Sequence, residues 1–165
     1  MQAKPWKRYV FYIVLTEAVG IIAGILIRDG TQIYSETITK PPLSPPAILF
    51  PIVWTILYAV MGFSAAKISL SPPTAARKRA LYVYFAQLIF NFFWSIIFFS
   101  FQAFGVAFFW LLVLWALILW MILAFKKINP LAGYLQIPYL IWVTFAGYLN
   151  LGVWVLNSNL SAYGG

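Results

Sequence analysis

The sequence predicts an all-α integral membrane bundle of five transmembrane helices, and three observations predict it. The chain is 64% apolar and only 8% charged, whereas soluble domains are roughly half apolar and about a quarter charged. Its eleven bases and three acids are too few to cover a water-soluble fold of 165 residues, and the bases gather between long apolar runs. Five of those runs are long enough to cross a bilayer, since a helix rising 1.5 Å per residue needs about 20 residues to cross about 30 Å of hydrocarbon.

The first span runs from about 9 to 27 and is interrupted only by Thr16 and Glu17. Lys4, Lys7 and Arg8 precede it as they would a signal peptide, but the apolar stretch is long and no clear small-residue cleavage site follows, so it is read as retained. The second, about 47–68, opens after Ser44-Pro45-Pro46, a pattern that suits an N-cap and first turn. From Ala80 to Phe125 no charge occurs, a stretch too long for one crossing. It must fold back, most simply around Ser100, Gln102 and Gly105, giving spans of about 80–100 and 104–125. The fifth runs from about 131 to 156, with Pro138 bending it or marking where regular helix begins. The whole chain, 1–165, reads as one transmembrane domain.

Charge sets the orientation. Lys4, Lys7 and Arg8, then Lys67, Arg77, Lys78 and Arg79, then Lys126 and Lys127 place nine bases on one face, against Arg28 and Lys40 on the other. By the positive-inside rule the N-terminus is cytoplasmic and the C-terminus lies outside, as expected for a multi-pass protein of the plasma (inner) membrane. Bases arranged as topology signals do not form a phosphate-binding stripe, so no nucleic-acid partner is expected; the lipid bilayer is. Cysteine and histidine are both absent. That excludes disulfides, common zinc sites, Cys/His and Ser-His-Asp constellations, and the usual axial ligands of haem iron. No catalytic residue, no metal site and no obligatory cofactor is assigned.

Polar groups in a membrane helix tend to face the bundle or a cavity, and helical periodicity shows where they line up. Tyr139, Trp142, Ala146, Asn150, Val153 and Asn157 fall within an arc of roughly 80° on the fifth span. Pro51, Trp54, Tyr58, Met61 and Ala65 share a similar arc on the second, and Gln87, Asn91, Trp94 and Phe98 on the third. Two readings stand side by side: these faces enclose an apolar pocket with a few placed polar groups, or they anchor the interface and knit helices together. Glu17 is the single acid inside a span, which marks either a functional group or a packed side chain. Gly20 and Gly24 form a small-xxx-small pair able to permit close helix contact.

Lys40-Pro41, Pro45-Pro46, Pro51-Ile52-Val53-Trp54-Thr55-Ile56-Leu57-Tyr58 and Met61-Gly62 resemble the signature of the tryptophan-rich sensory protein / translocator protein family. The likeness continues through Gln87-Leu88, Asn91, Trp94 and Ile97-Phe98-Phe99. It is strongest over Pro130-Leu131-Ala132, Pro138-Tyr139-Leu140-Ile141-Trp142, Phe145-Ala146, Leu149-Asn150 and Val153-Trp154, and spans about residues 30 to 157. The resemblance implies a five-helix bundle, often a homodimer, with a pocket beneath the long first loop that binds porphyrins and related tetrapyrroles, drug-like molecules and, in some members, sterol. Carried over by motif, the pocket residues are Trp54, Asn91, Trp94, Trp142, Ala146 and Asn150, and Tyr58 joins them from the same face as Trp54.

This resemblance implies a tetrapyrrole-binding sensor or regulator, in some members promoting light-dependent porphyrin breakdown; a small transporter of porphyrins or other hydrophobic ligands is the alternative. No conventional enzyme is expected. Two departures bear on the ligand. Leu43 stands where the family carries a tryptophan in its Lys-Pro-x-Trp stretch, and no base follows Tyr148 as the proposed sterol motif requires.

Overall fold

The computed structural model describes residues 4–158, and seven α-helices with one π-helical turn account for most of them. They are α1 (Pro5–Leu26), α2 (Arg28–Thr37), α3 (Leu49–Leu70), α4 (Ala75–Ser95, extended by the π turn Ile96–Ser100), α5 (Phe104–Ile128), α6 (Pro130–Tyr134) and α7 (Ile137–Asn157). Five crossings are long and apolar enough for a membrane: α1, α3, α4 with its π turn, α5, and α6 with α7. The all-α bundle of five spans expected from hydropathy is therefore the observed fold. A bilayer favours this solution, because each helix satisfies its own backbone groups where water cannot.

α1 packs chiefly on α3, α4 on α5, and α5 on α7. The core runs down the middle through Met61, Ala65, Tyr84, Leu114, Ile118, Met121, Phe125 and Val153, each at most 1% exposed. The outer faces carry Ile25, Ile56, Phe109, Trp120 and Ile141, all more than half exposed, as side chains facing lipid should be.

The boundaries show where hydropathy misleads. α4 begins at Ala75 rather than near Ala80, because the Thr74 hydroxyl accepts from the Arg77 amide at 3.1 Å and caps the helix ahead of its charges. Arg77 Nη1 then donates to the carbonyls of Ser71 at 2.7 Å and Ser69 at 3.3 Å, filling acceptors left open at the end of α3. Ser44-Pro45-Pro46 does not cap the second span. The Ser44 hydroxyl turns back to the Pro41 carbonyl at 2.7 Å, and α3 starts at Leu49 with no side-chain cap. The fold-back near Ser100 is as expected: the π turn ends, Gln102 adopts φ 49, and α5 opens at Phe104. Pro138 lies in the first turn of α7 without breaking it, after the short α6 that Asn129 caps through the Ala132 amide at 3.1 Å.

The close helix contact is also not where the glycine pair of α1 suggested. A Cβ on Gly24 would meet nothing within 4 Å, and one on Gly20 would strike the Tyr58 ring. It is Gly62 of α3 that lets two backbones approach, since a Cβ there would lie 2.5 Å from Ile13 Cα and 2.6 Å from the Tyr12 carbonyl oxygen. α2 was not anticipated within the first loop. It lies against the π turn through Gly30, whose position leaves no room for a Cβ beside the Phe99 carbonyl.

Candidate functional site

At the end of the bundle opposite the nine bases, α1, α3, α4 and α7 diverge around a cavity of about 630 Å³, roofed by α2 and the segment 38–48. Its size is that of a small-molecule or cofactor site, which typically measures about 300–1,000 Å³. Trp54, Tyr58, Asn91, Trp94, Trp142, Ala146 and Asn150 all line it. Three helical faces that lie far apart in sequence therefore converge on one space.

The wall is aromatic and rigid. Trp54 stacks on Tyr58 with ring centroids 5.4 Å apart and meets Tyr139 edge-on at 6.1 Å. Trp94 stacks on Phe98 at 5.2 Å, and Phe50 stands edge-on to Trp142 at 5.9 Å. Such pairs hold large flat surfaces in fixed orientations.

The amides of the wall are largely committed to one another. Tyr58 donates its hydroxyl to Asn91 Oδ1 at 2.6 Å, Asn91 Nδ2 donates to the Tyr139 hydroxyl at 2.9 Å, and Tyr139 donates to Gln87 Oε1 at 2.8 Å. Gln87 Nε2 ends the chain on Met61 Sδ at 3.6 Å. Nearby, the Trp94 indole donates to Asn150 Oδ1 at 3.1 Å, while Asn150 Nδ2 donates to the Phe104 carbonyl at 2.8 Å. Both sequence readings thus hold together: the polar side chains knit helices and also border a cavity. Satisfied networks of this kind are stiff, because breaking one bond strands a buried polar partner. Trp142 is the exception on the wall, since its buried indole N–H finds no acceptor among the described residues.

The roof is tied to α7 at successive points. Asn157 grips the backbone of Thr39 on both sides, Oδ1 accepting from its amide at 3.1 Å and Nδ2 donating to its carbonyl at 2.9 Å. Pro41 sits on Gly152, where a Cβ would approach within 2.6 Å, and Tyr148 donates to the Pro42 carbonyl at 2.9 Å. Beyond these ties, Leu43 stands 81% exposed at φ 66, so the side chain at the family's tryptophan position does not close the cavity. Lys40 supplies the mouth with a cation. Its ammonium donates to the Ser35 carbonyl at 3.0 Å and lies 5.3 Å from the centre of the Tyr34 ring. Burial raises the Tyr34 phenol above the usual tyrosine range.

Sequence reasoning missed the contribution of α1 and α2. Gly20, Gly24 and Glu17 complete the wall, and Thr31 and Tyr34 complete the roof. Glu17 carried the one available signal, an acid within a span; the glycines read as a packing motif because spacing does not tell an empty face from a contact face.

The chain resembles known proteins across nearly its full length. The TspO/MBR family model matches residues 12–155. A tryptophan-rich protein TspO from Chlorobaculum tepidum is 37% identical over 141 residues, covering 85% of this chain and 89% of its own. The tryptophan-rich sensory protein of Cereibacter sphaeroides is 30% identical over 154 residues, covering 93% and 94%, and the translocator protein of Ovis aries is 30% identical over 154, covering 92% and 91%. Five apolar crossings, motifs that meet around one cavity and a match of this extent lead to one conclusion: this multi-pass membrane protein belongs to the TspO/MBR family.

Proposed function

We propose that the protein is a membrane sensor or regulator that binds a porphyrin or related tetrapyrrole in the cavity beneath α2. The observation that carries this reading is the convergence of Trp54, Trp94 and Trp142 on one cavity of about 630 Å³, a space walled by flat indoles and supplied with a cation, Lys40, at its mouth. A flat apolar macrocycle stacks or packs edge-on against such walls, while its carboxylates reach the ammonium and the free Trp142 N–H. Binding is favoured over translocation by what lies below. The Tyr58–Asn91–Tyr139–Gln87 chain and the buried Met61, Ala65 and Tyr84 close the bundle between the cavity and its basic end. A transporter would have to break that network at every cycle.

The absence of histidine and cysteine leaves iron to weaker candidates, Tyr or Met; Met61 is not on the cavity wall, and Tyr58, which is, has its hydroxyl committed to Asn91. Metal-free protoporphyrin IX should therefore bind purified protein saturably and at least as tightly as haem in an equilibrium titration that includes a linear tetrapyrrole. Haem binding about tenfold tighter, or no saturation by any tetrapyrrole, would refute the reading. Any oxidative porphyrin breakdown would need light and dioxygen as the oxidant, with the bound porphyrin as its own sensitiser and an adjacent indole as electron or radical partner. The same proposal places the protein in the plasma membrane as a homodimer, with the N-terminus cytoplasmic and the cavity toward the outside. A periplasm-dependent reporter fused at the C-terminus should be active and one fused between 71 and 74 silent, the reverse pattern overturning the orientation. Cross-linking in native membranes should trap a dimer.

A further inference from the structure

Glu17 is the single acid within the five crossings. It lies ten residues before Ile27, about 15 Å along the axis of α1 from the roof of the cavity. Gly20 and Gly24 follow three and seven residues later on the same helical face, and all three line the cavity. The other residues that line the cavity from this helix and its end are Ile21, Ala23 and Ile27, all apolar, so the carboxyl is the one polar side chain α1 presents there.

Among the described residues nothing neutralises it. Glu17 makes no hydrogen bond or ion pair with any described residue. Arg8 and Arg28, the nearest bases along the helix, are nine and eleven residues away, about 14 and 16 Å along the axis. The neighbouring polar groups are already engaged: Thr16 with the Tyr12 carbonyl and the Tyr84 hydroxyl, Tyr58 with Asn91, and Lys40 with Ser35 at the mouth. By contrast, Thr16, Gln87, Asn91 and Asn150 are each buried and hydrogen-bonded. An acid that only packed between helices would be expected to share that pattern. An ionisable side chain at membrane depth is costly, and it is tolerated where it faces a cavity and meets a partner there.

We infer that Glu17 is a ligand-recognition residue: it pairs with a protonated amine, or an equivalent cationic N–H group, on a hydrophobic ligand whose acidic group reaches Lys40. The inference rests on the cavity being the ligand site and refines the class of ligand it takes. Two groups of opposite charge on the lining of one cavity, Glu17 from α1 and Lys40 from the roof segment, select a large zwitterionic molecule over a dianionic one of the same shape. A charge-assisted hydrogen bond in so apolar a site discriminates by about tenfold or more.

The test uses two porphyrins with one macrocycle, the first carrying two propionates and the second carrying one propionate and one aminopropyl arm. They are titrated into the full chain in nanodiscs of neutral lipid. Wild type should bind the amino-propionate form about tenfold tighter or more, and Glu17→Gln should erase that preference, the two porphyrins then binding with equal affinity. Glu17→Asp, which keeps the charge but shortens its reach, should retain part of the preference and serves if the glutamine variant does not fold. Lys40→Gln should weaken both ligands alike. Equal binding of the two porphyrins by wild type, or a preference that survives in Glu17→Gln, overturns the role of Glu17 alone. Failure of both porphyrins to bind wild type overturns the cavity reading and this inference with it.

Discussion

Gly24→Phe should lower porphyrin affinity about a hundredfold or more, the equivalent of roughly 2.7 kcal/mol, while the protein remains folded. A Cβ at Gly24 meets nothing within 4 Å, and the residue lines the cavity. A phenyl group added there therefore enters space that the bundle leaves empty, and it competes with the ligand rather than with packing. Gly20, one turn earlier on the same face, provides the contrast. A Cβ there would lie 2.3 Å from the Tyr58 ring, so Gly20→Phe must displace Tyr58 and its bond to Asn91. Over-packing of that kind typically costs about 1–3 kcal/mol of stability. Titration with protoporphyrin IX alongside thermal melts separates the two: Gly24→Phe should lose binding with little change in melting temperature, Gly20→Phe should lose both. Unchanged affinity in a folded Gly24→Phe would mean that the ligand lies elsewhere.

Asn157→Ala should speed ligand release roughly 10- to 100-fold, with a smaller effect on association. Asn157 is 4% exposed and holds both backbone groups of Thr39. Truncation strands an amide and a carbonyl whose loss of partners costs about 1–3 kcal/mol each when water cannot replace them. The segment 38–48 and α2 form the roof, so the loss acts on the part of the protein that must open for the ligand to leave. Differences among variants of one interface generally appear in the dissociation rate. Stopped-flow displacement of bound porphyrin reads that rate directly. A release rate equal to wild type would show that the ties at Pro41 and Pro42 hold the roof without Asn157.

Much of this architecture is legible in the sequence because the bilayer leaves few alternatives. A backbone in hydrocarbon must be helical or a closed barrel, so five apolar runs become five helices, and the uncharged stretch from Ala80 to Phe125 has to reverse near Gln102. The convergence of three faces on the candidate site was legible by the same logic. Polar and aromatic residues repeating at helical spacing on three spans must face inward, and Gln87, Asn91, Tyr139 and Asn150 are indeed no more than 3% exposed.

What sequence did not show depends on tertiary contacts. α2 is a polar segment of Thr, Gln and Ser, and its position follows from the close approach of Gly30 to Phe99. The start of α4 is hidden among Arg77, Lys78 and Arg79, where charge resembles a loop although the Thr74 cap makes a helix. Ser44 looks like an N-cap until its hydroxyl is seen turning back to Pro41. Gly24 resembles half of a packing motif, and only coordinates reveal that its face is empty.

The central claim is that Trp54 and Trp142, 88 residues apart in sequence, form one tetrapyrrole site. Quenching of tryptophan fluorescence by protoporphyrin IX tests it most directly, measured in wild type, Trp54→Phe, Trp142→Phe and Trp120→Phe. Trp54 and Trp142 line the cavity, whereas Trp120 of α5 is 51% exposed on the outer face. Quenching should be saturable in wild type. Either cavity variant should lose part of the quenching and bind about 3- to 10-fold more weakly, as expected for one lost aromatic contact, while Trp120→Phe should bind like wild type. A Trp120→Phe variant that weakens binding as much as Trp54→Phe and Trp142→Phe, or cavity variants that bind like wild type, would contradict the account.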